Sequence, residues 1–255
     1  MKRTYCALAL FLALALIPLA SSGFEIGARG YYWFPSLDGK VRVDEAGTIG
    51  TTIDFENDLA IEDEDYPSVE AFVGIGKHHL DLGYTKIDYS GSNVLSRTII
   101  FNRETYPVSS LVSSSIEYKM IDFHYQYDFI NLENALAGFS LGGVLQVKYL
   151  DGEVALKSTG AGLDEKEDFN LPIPMVGLNL HIGIIAGILE ARVRGTAMTY
   201  SGDSMYELMG DISWTPVPFI DIHGGYKTFV IDVDQDDVLL DYDMSGPYAA
   251  ITISF

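Results

Sequence analysis

The stretch IDFHYQYDF at residues 121–129 alternates without exception between apolar or aromatic side chains and polar ones. Successive side chains of a β-strand point to opposite faces, so this period of two predicts a strand with one apolar and one polar face. The last eight residues, YAAITISF at 248–255, repeat the pattern with an apolar residue at every second position up to Phe255. The chain is therefore predicted to be all-β.

The same alternation marks ten candidate strands along the chain. They cover about residues 24–34, 68–77, 78–90, 113–129, 138–151, 171–184, 188–201, 204–215, 219–231 and 240–255. Ten is the favoured number of strands. Twelve stays open because residues 37–66 contain a further candidate pair around Val41 and Ile53, and eight is the lower alternative.

The connections between these segments alternate in length. Three long ones, predicted as loops, are residues 35–67, 91–112 and 152–170, and three tight turns are residues 77–78, 185–187 and 215–218. A soluble sandwich would also alternate, but it would have to bury its apolar faces against a second sheet. Alternating long and short connections favour a closed, antiparallel, up-and-down barrel with its long loops outside and its short turns in the periplasm.

The amino terminus has the layout of a secretory signal peptide. Residues 2–22 combine two positive charges, an apolar run and small residues before a cleavage site after Ser22, which leaves a barrel domain at 23–255. The alternative, an anchoring helix, would need about 20 apolar residues, and this run is shorter. Because Cys6 is the only cysteine, the exported chain is predicted to rely on a hydrogen-bonded sheet and not on disulfides.

Composition excludes two classes of protein. Asp and Glu number 36 against 16 Lys and Arg, for a formal charge of −20, whereas nucleic acid is held chiefly by basic side chains. Nucleic acid is therefore not an expected partner. Disorder is also disfavoured, because 48% of the residues are hydrophobic and 12% are aromatic.

With these features the chain resembles the Gram-negative outer-membrane β-barrels, through its signal peptide, its alternating strands and the terminal Phe255. The resemblance implies a location in the cell outer membrane, contact with lipid and lipopolysaccharide, and assembly by the barrel-insertion machinery with Phe255 as the recognition residue. An apolar band with aromatic girdles should then face lipid. Its predicted aromatic members are Phe24, Tyr32, Phe34, Tyr84, Tyr127, Phe129, Tyr149, Tyr206, Trp214 and Tyr226.

The opposite parity of the strands predicts the residues that face the lumen. Candidate solute-binding residues are Arg29, Asp122, His124, Lys148, His181, Glu190, Arg192, Arg194, Asp211, Asp221, His223 and Lys227, and the same face includes Glu25, Glu70, Asp81, Asp128 and Glu207. One interpretation is a network of ion pairs that fills a narrow barrel. The other is a narrow conduit or binding cavity for a small polar solute, with Arg192 and Arg194 opposite the carboxylates.

A barrel enzyme, either a protease or a lipid-modifying enzyme, is the alternative function. Asp221-x-His223 resembles half of the omptin protease site, where carboxylates and histidine activate water. However, these residues follow a periplasmic turn, whereas the omptin site lies at the outer rim. Ser113, Ser114 and Ser115 are interpreted as loop residues. No catalytic residue and no cofactor are predicted, and the protein is expected not to be an enzyme.

No metal site is predicted. His78 and His79 are neighbours in a strand and should point to opposite faces, so they cannot chelate one ion together and are interpreted as part of a periplasmic turn. Asp232-x-Asp234-x-Asp236 opens like a calcium loop, but Asp237 stands where such loops need glycine.

Two segments, residues 37–66 and 232–243, hold a large share of the acidic residues and are predicted to share the outer end of the barrel. Such a cluster attracts cations within about 10 Å at ordinary ionic strength. It is interpreted either as a solvated rim or as a contact for lipopolysaccharide through divalent cations, or for a cationic external ligand whose identity the sequence leaves open.

Overall fold

A computed structural model describes residues 23–44, 48–132, 138–235 and 238–255, and the predicted signal peptide lies outside these ranges. The strands are β1 (Phe24–Trp33), β2 (Ser36–Val43), β3 (Ile53–Asp54), β4 (Tyr66–Ile75), β5 (His78–Val94), β6 (Ile99–Phe101), β7 (Glu104–Tyr106), β8 (Leu111–Asn131), β9 (Phe139–Ser158), β10 (Leu163–Ile185), β11 (Leu189–Tyr200), β12 (Asp203–Val217), β13 (Ile220–Gln235) and β14 (Val238–Ser254). Among the described residues, no helix is long and apolar enough to cross a membrane.

Ten of these strands form a closed antiparallel barrel in the order β1, β4, β5 and then β8 to β14, and β14 pairs back onto β1. The predicted ten-stranded, up-and-down barrel is confirmed. The predicted extra pair also exists, because Val41 of β2 faces Ile53 of β3. It lies outside the closed wall, since β2 pairs with the residues of β14 from Val238 to Ser245, so the barrel itself stays at ten strands.

The wall has a belt of apolar side chains on its outside. Along β9 the outward side chains are apolar or glycine up to Tyr149, and Leu145 and Val147 are 56% and 44% exposed. Asp151 and Glu153 follow on the same face. Residues 139–149 match the length of about 9–11 residues that a tilted strand needs to span a bilayer.

The aromatic residues predicted to face lipid do lie on the outer surface. Nine of them are exposed, namely Tyr32, Phe34, Tyr84, Tyr127, Phe129, Tyr149, Tyr206, Trp214 and Tyr226, and Phe24 is half-buried.

Two of the predicted long loops are wrong in large part. β9 and β10 pair without interruption from Ile182 and Phe139 out to Leu163 and Ser158, so most of residues 152–170 is strand. Likewise β5 and β8 pair out to Val94 and Leu111, and the remainder of residues 91–112 contains the small hairpin of β6 and β7. Ser113, Ser114 and Ser115 are therefore strand residues of β8 and not loop residues.

These four strands rise beyond the apolar belt as an outer extension, defined here as β5 from Lys86, β8 up to Lys119, β9 from Asp151 and β10 up to Asn170. The alternation continues through these four strands, but its polarity is reversed relative to the apolar belt. Charged side chains now point outward and apolar side chains point inward. The extension is thus packed like the sheet of a soluble protein. The loop prediction is wrong because the period of two continues through these segments on strands that extend beyond the apolar belt.

An apolar core fills the extension and the outer part of the lumen. Its largest fully buried side chains include Trp33, Tyr89, Tyr106, Phe229, Ile87, Ile99, Met120, Ile173, Met175 and Met244. The segment between β1 and β4 covers it with Phe55, Leu59 and Ile61, each at most 5% exposed. The barrel is consequently closed at its outer end by side chains that pack as in a protein interior.

An ion pair joins this covering segment to a second one, residues 95–110, which contains the β6–β7 hairpin and buries Leu95, Ile99 and Tyr106. The Arg97 guanidinium donates Nε to Asp58 Oδ1 at 3.1 Å and Nη2 to Asp58 Oδ2 at 2.5 Å, and Nη2 also donates to the Thr52 carbonyl at 2.7 Å. Burial by itself would raise the pKa of the Asp58 carboxyl, but the hydrogen bonds from Arg97 and from the Asp54 N–H, together with the charge of Arg97, outweigh it and hold that pKa below its usual value. This contact ties the residue-54 region to the β6–β7 hairpin.

Candidate functional site in the lumen and at the outer rim

The centre of the lumen is occupied by a chain of alternating charges. Lys148 Nζ lies 2.5 Å from Asp122 Oδ1 and 2.9 Å from Glu207 Oε2, and Lys227 Nζ lies 3.3 Å from Glu207 Oε2. Gln146 Nε2 donates to Asp122 Oδ1 at 3.0 Å. All five side chains are buried, which is tolerated because each charge has an opposite partner at contact distance.

Several of these contacts run across the barrel and not along the wall. Lys148 on β9 meets Glu207 on β12, which is three strands away in the barrel order. Arg194 on β11 lies 3.2 Å from Asp81 on β5 and 3.9 Å from Glu70 on β4. Side chains from opposite walls therefore touch each other, and the middle of the lumen is filled.

A second polar layer lies towards the periplasmic end. His223 pairs through Nδ1 with Asp211 Oδ1 at 3.0 Å and through Nε2 with Thr252 Oγ1 at 2.8 Å. Arg29 donates Nε to the same Thr252 Oγ1 at 3.0 Å and pairs with Glu70 at 3.4 Å. Two hydrogen bonds and one ion pair thus connect β13, β14, β1 and β4 in this layer.

The suggested resemblance of Asp221 and His223 to an omptin half-site is not supported by their contacts. Asp221 Oδ1 accepts a hydrogen bond from Thr215 Oγ1 at 2.5 Å, whereas His223 is held by Asp211 and Thr252. The two side chains belong to separate hydrogen-bonded groups at the periplasmic end, as the topology predicted.

The remaining candidate residues line the periplasmic mouth. His181 Nε2 lies 3.0 Å from Glu190 Oε2, and Arg192 is the cross-strand neighbour of His181. These three side chains are half-buried, in contrast to the buried centre. The side chains at the periplasmic mouth are thus partly accessible to solvent, and the buried centre of the lumen lies above them.

The two consecutive histidines begin β5 beside the periplasmic turn and point to opposite faces, as predicted. His79 Nε2 lies 3.1 Å from Asp128 Oδ2 on the lumen side. His78 Nδ1 lies 2.8 Å from the Tyr125 hydroxyl on the outer side.

The predicted set lacks the neutral partners of these charges. It also lacks the part of the apolar core that lies directly above them, here called the apolar ceiling and formed by Phe229, Met120 and Met244. Gln146, Thr196, Tyr248 and Thr252 face inward at the same parity as the charged residues, whereas the predicted set contains only charged and histidine side chains. The ceiling includes Phe229, whose ring centroid lies 4.7 Å from Lys148 Nζ. Parity alone would have found the first group, whereas the ceiling depends on which side chains meet across the barrel.

Asp122, His124 and Glu207 form a buried group whose ligand atoms lie within 4.8 Å of one another, a grouping that the sequence did not reveal. Lys148 pairs with both carboxylates and Lys227 pairs with Glu207, so two ammonium groups balance the two carboxylates and a divalent cation there would have to compete with them. The structure gives the group a balanced charge through lysine.

The outer rim brings the two acidic segments together, as predicted. β2 pairs with the outer part of β14, which places Asp38 opposite Asp243 and Lys40 opposite Asp241. The four residues 62–65 are exposed acids beside this sheet. The calcium-like stretch cannot be traced as one loop, because residues 236–237 lie outside the described ranges and its other members belong to β13 and β14.

Comparison with solved structures finds outer-membrane barrels. The outer membrane protease OmpT from Escherichia coli has a TM-score of 0.59 and 9% identity, covering 92% of this chain and 99% of that one. This likeness shows the fold, and the apolar belt of a closed barrel is the surface that such a fold presents to a membrane. The chain has the fold of the outer-membrane β-barrel proteins. No protein-family model and no curated protein sequence matches it.

Two other structures resemble this outer-membrane barrel less closely. The translocator domain of the autotransporter NalP from Neisseria meningitidis has a TM-score of 0.45 and 9% identity, covering 99% of this chain and 98% of that one. The attachment invasion locus protein Ail of Yersinia pestis has a TM-score of 0.35 and 12% identity, covering 90% of this chain and 99% of that one.

The carboxyl-terminal residue of this outer-membrane barrel lies on the seam that closes it. The Phe255 ring stacks on Phe219 with centroids 5.4 Å apart, and its backbone exchanges two hydrogen bonds with Ile26 at 2.9 and 3.0 Å. Its role as a signal for the assembly machinery stays a prediction.

Proposed function

We propose that this barrel is a non-conducting surface protein that binds a cationic ligand at its acidic outer end. The observation that carries the first half is the contact across the lumen between Lys148 and Glu207, which are 0% and 3% exposed. At these exposures almost none of either side chain is accessible to solvent. The narrow-conduit interpretation therefore loses support, and the ion-pair network gains it.

The apolar ceiling adds a second barrier. A hydrated ion that passed the ion pairs would next meet Phe229, Met120 and Met244, all fully buried. Moving an unpaired ion into such a medium is strongly unfavourable, because its hydration is lost without replacement. The lumen residues then act together to hold the walls and do not select a solute.

The second half of the proposal rests on the outer surface. The extension presents folded sheet beyond the belt, and its neighbouring rim carries exposed Asp and Glu at residues 62–65, 232 and 234. Like charges held close together attract oppositely charged ligands and raise their rate of association. A binding role, without a catalytic step, uses this surface and leaves the filled lumen as its support.

Two measurements on the refolded full chain test the proposal. In planar lipid bilayers and in liposome swelling we expect baseline behaviour, with an open porin as the positive control. Labelled polylysine should bind at low salt and dissociate as salt rises, because exposed charges are screened. Steady conductance would contradict the first half, and polylysine binding that ignores salt would contradict the second.

A further inference from the structure

The outer rim has a gap on one side, which we call the notch. β10 pairs with β9 out to Leu163, but it pairs with β11 only as far as Val176. The β11–β12 hairpin ends at Tyr200 to Asp203, below the outer parts of β10 and β13. The notch is thus defined by residues 163–170 of β10, the hairpin tip at 200–203 and residues 232–235 of β13.

Among the described residues, the β10 wall of the notch is an open sheet edge and the β13 wall is capped. On the β13 side, Asp203 accepts hydrogen bonds from Asp234 N at 3.2 Å and Gln235 Nε2 at 2.7 Å, which caps that strand. On the β10 side, no described strand pairs with residues 163–175 opposite β9. This edge offers backbone donors and acceptors to another strand.

The prolines of β10 show which residues supply the donors. Alternate residues of a strand aim their N–H groups to the same side, and proline has none. Pro172 and Pro174 remain paired with β9, although neither has an N–H group to donate to it. The backbone groups of the even-numbered residues of β10 therefore face the open edge and not β9. By the same parity, Asp164, Lys166, Asp168 and Asn170 point their N–H groups into the notch.

The edge is acidic on both faces of the strand. Residues 163–170 read LDEKEDFN, with Lys166 as the only base, and its Nζ is engaged with Glu153 Oε1 at 2.6 Å. Glu167 and Asp168 are exposed. Across the notch Asp232 is also exposed, and Tyr200 on the floor is 76% exposed. A second copy of this chain would bring the same carboxylates against each other, which disfavours edge-to-edge pairing of two barrels.

We propose that the notch binds an extended, cationic peptide segment, which adds to the open edge of β10 as an antiparallel or parallel strand. The inference rests on the proposed function and names its ligand class and site. Backbone hydrogen bonds to β10 would hold the peptide, while Glu167, Asp168 and Asp232 would select lysine or arginine side chains. The gap left by two strands, at about 4.8 Å per strand, is wide enough for one added strand.

The test uses the refolded full chain and a labelled nine-residue peptide of alternating lysine and threonine. A second peptide with the same charges carries an N-methyl group on every backbone nitrogen, so neither of its edges can donate hydrogen bonds to a ladder. Fluorescence anisotropy should show binding of the first peptide and about tenfold weaker binding of the second, since each lost backbone bond contributes modestly and the losses combine.

Two variants test the site itself. Asn170→Pro removes one more N–H group that faces the open edge, at a position equivalent to Pro172 and Pro174. It should therefore keep the pairing with β9 and weaken the binding of the first peptide by a similar factor. E167Q with D168N should weaken that binding and flatten its salt dependence, whereas E25Q with E190Q, which removes two carboxylates at the periplasmic end of β1 and β11, should change it less than about twofold, because exposed charges act over only about 10 Å. Heat-modifiable gel mobility checks folding.

The outcomes separate the inference from the proposed function. Equal binding of both peptides, unaffected by Asn170→Pro, would place the cationic ligand elsewhere and overturn the inference alone. Absence of binding by either peptide and by polylysine at low salt would overturn the proposed ligand class as well. Self-association of the protein that Asn170→Pro abolishes would assign the edge to a second copy and also overturn the inference.

Discussion

The membrane-embedded part of the barrel and its outer extension use one alternating pattern with opposite polarity. On β9, Leu145 and Val147 point out to lipid while Gln146 and Lys148 point in. A few residues further, Asp151 and Glu153 point out and Leu156 points in. The strand does not change its geometry between the two parts. The solvent outside changes from hydrocarbon to water, and each face takes the side chains that its surroundings favour.

The two parts therefore differ in what holds their interiors together. The lumen at membrane level depends on paired charges, which are costly to break singly, whereas the extension depends on apolar packing. Substitutions that remove a charge should therefore lower the stability strongly in the lumen at membrane level and only slightly in the extension.

The largest contrast is expected for Lys148. Lys148→Met would leave Asp122 and Glu207 buried without their shared partner, and breaking a buried pair in this way costs about 3–5 kcal/mol. Lys166→Met removes an exposed pair with Glu153 and should cost about 0–1 kcal/mol. Urea unfolding in lipid vesicles measures both. Equal losses would mean that the lumen charges are less buried than the contacts indicate.

An intermediate effect is expected on the outer face of β9. Val147→Arg places a charge in the apolar belt and should destabilise the folded protein by about 2–4 kcal/mol if it lies near the bilayer centre, and less if it lies nearer the interface. Ala155→Arg makes the same change on the same face of the extension and should be close to neutral. A similar cost at both positions would show that the belt does not end between Tyr149 and Asp151.

The smallest effect is expected for the ion pair that joins the covering segments. Because the folded state lowers the pKa of Asp58, this pair stabilises the cover above the unfolded pKa of about 3.9 and loses its contribution as pH falls through the lower folded value. Limited proteolysis near residues 95–110 should thus accelerate in acid with an acid-stable protease. Asp58→Asn should remove this pH dependence, and a variant that keeps it would assign the effect to another group.

The sequence predicted the barrel more completely than the lumen. Ten strands, their parity and the lipid-facing aromatic residues follow from local alternation, which each segment shows without reference to the others. Partners across the lumen do not follow, because Lys148 and Glu207 are far apart in sequence and meet only when the sheet closes. The outer extension was missed for a different reason, since the expectation of apolar outward faces did not allow for strands that leave the membrane.

The amino-acid sequence on its own predicts the fold class and the face on which each strand residue lies, and it favours ten barrel strands over eight or twelve, because these features depend on a period of two within short segments. Closure of the sheet decides the rest. It sets which charges neutralise each other, it stacks an apolar ceiling over them, and it leaves the edge of β10 open where two strands stop short. Those features depend on distances between walls and on unequal strand lengths, and such distances exist only in the folded barrel.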